Sequence, residues 1–133
     1  MIKTLLIATL LLFPLLFTQA RSISDVRIFI SDDIHKDCQY VVKDVEGCYA
    51  SPDKIYVSSK LSLFRFKYVL LHEIGHFLMD GVSEEIYNEV FNPTSFMMPM
   101  GVLREFAANE FAFWWITNQA TPDQEQFFIG LFQ

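Results

Sequence analysis

Residues 72–76 read His-Glu-Ile-Gly-His, inside the run YVLLHEIGHFLMD at 68–80. On a helix, positions four apart are about 6 Å along the axis and about 40° around it. His72 and His76 therefore project from one face, and both rings can reach one ion at the ~2.0–2.1 Å of a zinc–nitrogen bond. Glu73 lies about 100° around from His72, off the ligand axis. There it can contact a water on the metal without binding the metal itself, which is the logic of His-Glu-x-x-His: two ligands and a base from one rigid turn. The competing reading is a core helix with two hydrogen-bonded histidines. That helix is almost wholly apolar, and burying three polar groups in it without partners costs several kcal/mol, a cost that a metal removes.

A tetrahedral site with one open position needs a third protein ligand. Asp80 continues the spacing, but it lies ~12 Å along the axis from His72, too far for both to touch one ion. His35, the remaining histidine, is far upstream in the chain. The run REFAANEFAFWW (104–115) offers a better candidate. With Glu105 at zero on a helical wheel, Asn109 lies at about +40°, Ala112 at about −20° and Ala108 at about −60°. Small residues around one carboxylate let a second helix approach closely. Glu105 is the expected third ligand, while Glu110 falls on another side. Asn109 can turn its amide oxygen toward the free N–H of a liganding histidine, His72, and so fix the ring and its tautomer without touching the ion.

These elements must be positioned by the rest of the chain. Val26–Ile30 is β-branched and apolar and reads as a strand; Lys54–Ser58 alternates and reads as another. Gln39–Lys43 is a weaker strand candidate, followed by a turn at Asp44–Gly47. Apolar residues recur at helical spacing from Ser62 to Asp80, with Gly81 as a stop. Ser83 can cap a helix running to about Phe91, with Glu84 and Glu85 in its first turn. The segment 92–101 carries two prolines and a glycine and reads as a loop whose methionines either line a substrate pocket or pack locally. A long helix follows over about Val102–Asn118, and Thr121-Pro122 starts a short terminal one. Phe111, Phe113, Trp114 and Trp115 are expected in the core, Trp114 partly exposed. Strands first and helices after is the α+β pattern, a small twisted sheet with helices gathered on one side.

HEIGH followed by Glu105-Phe-Ala-Ala-Asn109-Glu-Phe-Ala112 resembles the gluzincin metallopeptidases. It is closest to the ImmA/IrrE-type enzymes, whose third ligand sits in a Glu-x-x-Ala-Asn-x-Phe-Ala helix. The Lys54–Ser58 strand and the Val69-Leu70-Leu71 lead-in also look like that family, and the likeness covers roughly residues 49–116. The resemblance implies a minimal gluzincin-like fold in which His72, His76 and Glu105 bind Zn2+ and Glu73 is the catalytic base. Those enzymes are mostly cytoplasmic regulators that cut a repressor, and this chain departs from them at its N-terminus.

Residues 1–20 have the layout of a secretory signal peptide: one lysine, an apolar run over Leu5–Phe17, then Thr18-Gln19-Ala20 before a cut. The run is shorter than the ~20 residues that span a bilayer. The expected organisation is a leader at 1–20 and a zinc metallopeptidase domain at 21–133, exported to a periplasmic or extracellular space. The alternative is a membrane protein held by an uncleaved leader, and the N-terminus of the exported chain decides between them. The net charge is −6, and removing the leader's lysine makes it more negative. An acidic surface repels phosphate backbones and argues against nucleic-acid binding. Two cysteines, Cys38 and Cys48, fit a disulfide in an exported protein.

The functional expectation is a zinc-dependent endopeptidase acting on a peptide or protein substrate. The alternative is a catalytically silent zinc-fold binding protein, of immunity or toxin-associated type, against which the glutamate of the motif argues. Tyr56, Tyr87 and His35 are candidates for the oxyanion stabiliser. The substrate and the oligomeric state are not legible.

Overall fold

The computed structural model describes residues 21–39, 45–92, 94 and 96–133. The leader at 1–20 and most of the 39–43 strand candidate lie outside the described residues. The fold is α+β, with a three-stranded mixed sheet and five α-helices.

After a capped 3₁₀ turn at Ile23–Asp25, β1 (Arg27–Ser31) enters the sheet, one residue later than its apolar run begins. Asp33 then caps a short helix, α1 (Ile34–Cys38), by accepting from the Lys36 backbone N–H. Gln39 ends α1 in a left-handed conformation and is not part of a strand. Of the expected turn at Asp44–Gly47, Asp44 lies outside the described residues, and Gly47 is corrected: it opens a strand, β2 (Gly47–Ala50). β3 (Lys54–Ser58) lies in the centre, parallel to β1 and antiparallel to β2. The Cys38–Cys48 disulfide joins α1 to β2 with Cα atoms 6.0 Å apart.

α2 (Leu63–Met79) begins at Ser62, whose side chain accepts from the Arg65 N–H, and the chain turns away at Gly81 with φ 89°. α3 (Glu84–Phe91) starts at the Ser83 cap, and Glu84, Glu85 and Glu89 are exposed as a solvated face should be. α4 (Met100–Thr117) begins two residues earlier than expected, and α5 (Pro122–Gly130) starts behind the Thr121 capping box. None of the described helices is long and apolar enough to cross a membrane.

The core forms where Ile55 and Val57 of β3 meet Phe77 of α2, Phe91 of α3, Phe111 of α4 and Phe128 of α5, all at most 1% exposed. Fully burying side chains of this size stabilises by roughly 1.5–3 kcal/mol each. Of the aromatic run in α4, Phe111 is buried and Trp114 half-buried, but Phe113 and Trp115 are exposed, Trp115 with its ring still against Phe111. Met98 and Met100 pack against the core, whereas Met97 is exposed.

Candidate metal centre

α2 and α4 pack side by side, and Gly75, the glycine of HEIGH, sits where they touch. A Cβ built there would stand 3.3 Å from the Ala108 Cα and 3.1 Å from Phe111 Cδ1. Ala107, Ala108 and Ala112 are fully buried. The small-residue face foreseen around Glu105 therefore does what it must, letting two helix backbones approach. Gly75→Val should force them apart. Overpacking of this type costs about 1–3 kcal/mol, and we expect a lower unfolding midpoint in urea together with weaker zinc binding, because Glu105 moves with α4.

The helices run antiparallel, so His76 meets Glu105 while Tyr68, two turns earlier on α2, meets Asn109. His76 Nε2 is 3.0 Å from Glu105 Oε1, and His72 Nε2 is 3.1 Å from Glu105 Oε2. The two Nε2 atoms are 3.1 Å from each other. Two ring nitrogens and a carboxylate thus surround one point. A tetrahedral ion with ~2.0–2.1 Å bonds needs ligand atoms roughly 3.3 Å apart, so the trio fits such an ion with a small expansion. His72 Nδ1 lies 2.7 Å from Asn109 Oδ1. An amide oxygen only accepts, so Nδ1 carries the proton and the Nε2 lone pair points at the shared centre.

Electrostatics follow the contacts. The His72 and His76 rings, against a smaller opposing effect of burial, hold the Glu105 carboxyl well below the usual carboxylate range. Burial acts to lower the His72 pKa, but Glu105, the Glu73 charge and Asn109 together outweigh it and raise it. Glu73 is 7% exposed, and burial pushes its pKa up, opposed by the two rings and by a hydrogen bond from the Tyr49 backbone N–H.

Two carboxylates compete for the third position. Glu73 also falls within 4.8 Å of the ring nitrogens. The Glu105 oxygens are closer and approach both rings, whereas Glu73 is engaged by β2. Geometry favours Glu105 beside the rings and Glu73 one step back. Asp80, set aside on spacing, accepts from the Tyr49 hydroxyl at 2.6 Å and pairs with Arg21 at 3.4 Å, away from the centre.

The centre opens into a cleft of about 480 Å³ between β2, α2 and α4. Its wall is Val45–Tyr49, including β2, and not β3, which is paired on both edges. Gly47 is needed at this wall, since a Cβ would come 2.7 Å from Val69 Cγ1 and 3.5 Å from Glu73 Cγ. The three oxyanion candidates are corrected, for none lines the cleft. Tyr87 is buried, its hydroxyl donates to the Met79 carbonyl, and burial pushes its pKa up to about 12. Tyr56 stacks on Phe29 across β1 and β3, and His35 lies on α1. Two tyrosines line the cleft: Tyr49, whose hydroxyl is bonded to Asp80, and Tyr68, missed in the sequence although it stands one turn before His72 on the same face.

Comparison with known proteins adds one finding. No curated protein and no solved structure matches the chain. The profile of the IrrE N-terminal-like domain, a peptidase family, matches residues 23–127, a span that contains every residue of the centre and most of the chain. Two histidines and a glutamate converging beside a buried glutamate, within that span, leave one assignment: the chain belongs to the ImmA/IrrE-type zinc metallopeptidase family.

Proposed function

We propose that the protein is a zinc-dependent endopeptidase. His72, His76 and Glu105 hold the ion, Glu73 is the general base, and Asn109 orients His72. The observation that carries this reading is the mutual approach, at 3.0–3.1 Å, of two ring nitrogens and a carboxylate next to a second, buried carboxylate. Held by these three residues, zinc would supply Lewis acidity toward a scissile carbonyl and make a nucleophile available from water near neutral pH.

The chain's own groups do the rest. Glu73, its pKa raised by burial, takes the proton of the attacking water and delivers it to the leaving amine nitrogen. Its carboxylate is held in place by the Tyr49 N–H. β2 orients the substrate. The Ser58 N–H bonds to the Glu46 carbonyl, so by the alternation of an antiparallel pair Cys48 and Ala50 also face β3, while Gly47 and Tyr49 direct their backbone groups to the edge away from β3, which no other strand among the described residues pairs. The Gly47 N–H and C=O and the Tyr49 C=O are there to pair with an extended polypeptide.

We also propose that the protein works after export, a reading supported by the leader pattern at 1–20 and by the Cys38–Cys48 bond. The activity test is digestion of an unfolded protein by purified chain. We expect internal cleavage that stops when zinc is chelated and returns when zinc is restored. Cleavage indifferent to the chelator would refute the metallopeptidase reading.

A further inference from the structure

We infer that Tyr68 is a positioning residue of the metal centre, acting on His72 through Asn109; this rests on the zinc reading above. The Tyr68 hydroxyl donates to Asn109 Oδ1 at 2.9 Å, and the same oxygen accepts the His72 Nδ1–H at 2.7 Å. Two donors converge on one acceptor and fix which end of the amide faces the ring. The alternative orientation presents the Asn109 NH2 to His72 Nδ1. A ring that accepts at Nδ1 carries its proton on Nε2, the atom that approaches His76 and Glu105. The flipped amide therefore selects the tautomer that cannot bind metal. Tyr68 opposes the flip, because its proton is used best by the oxygen.

The ring of Tyr68 is itself held. The Arg65 guanidinium lies 5.3 Å over its centroid and is bound by two contacts, at 2.6 and 3.2 Å, to Glu46, in the segment leading into β2. A series of contacts thus runs from the cleft rim to one ring nitrogen. Tyr68→Phe keeps the ring and removes only the donor, so it separates the hydroxyl's role from packing.

The test uses zinc itself as the probe, with affinities of the full chain measured by competition with a chromophoric chelator. Tyr68→Phe should weaken zinc binding roughly three- to tenfold, less than the 10–100-fold typical when a direct outer partner is lost. Asn109→Asp offers only acceptors and has no wrong face. In that background, adding Tyr68→Phe should leave zinc affinity unchanged or slightly raised. A hydroxyl that merely supports the fold would lower affinity by the same factor in both backgrounds, and that result would overturn the inference. So would a Tyr68→Phe chain that binds zinc like the wild type. A wild-type chain that holds no zinc would remove the metal reading, and this inference with it.

Discussion

Glu73→Gln should reduce hydrolysis of an unfolded protein by about 10²–10⁴-fold, the contribution of a positioned general base, while zinc content stays at the wild-type level. The side chain is nearly isosteric, and its amide oxygen can still accept from the Tyr49 N–H that holds the carboxylate. What it loses is a basic oxygen beside the two rings, in a pocket where burial raises the carboxyl's pKa. Steady-state kcat/KM with metal analysis on the same sample separates the roles. A parallel loss of zinc would make Glu73 a ligand and Glu105 a bystander. A wild-type chain that binds a partner as the variant does, with neither cutting anything, would favour the silent binding protein.

His76→Ala should remove one corner of the trio and leave His72 and Glu105 without their shared partner. If zinc binding of order 10 kcal/mol is shared among three protein ligands, one lost ligand removes roughly 3 kcal/mol, or about a hundredfold in affinity. The fold should survive, because His76 is not part of the buried hydrophobic cluster and α2 keeps its cap and its packing. Circular dichroism unchanged with zinc affinity collapsed is the expected pair of results. Hydrolysis should fall with the zinc and recover only in part at high zinc concentration.

These expectations rest on features of differing legibility. The 72–76 spacing gives the two rings and the base directly, because helical geometry is local. Ser62, Ser83 and Thr121-Pro122 announce their helices for the same reason: a cap acts within its own turn. Glu105 and Asn109 could be placed because the alanines around them mark a close helix contact, and the structure puts Gly75 against Ala108. Pairing of strands is non-local, and there the sequence misleads. The alternation of Lys54–Ser58 shows a strand but not that it is central. β2 carries glycine, cysteine and alanine in four residues and gives no periodic signal, yet it forms the cleft wall. α1 is one turn long, and its only announcement was Asp33 at the cap. Tyr68 was within reach of the spacing argument, as the preceding member of the series Tyr68, His72, His76. The oxyanion candidates were chosen by residue type alone, and tertiary packing placed Tyr87 and Tyr56 elsewhere.

The central claim is that a carboxylate from α4 closes a metal centre begun by two imidazoles on α2. It is tested most directly by the equilibrium zinc affinity of Glu105→Ala beside the wild type. The account predicts one zinc per wild-type chain and an affinity lowered about a hundredfold in the variant, the share of one ligand in three. A Glu105→Ala chain that holds its zinc as tightly as the wild type would contradict it.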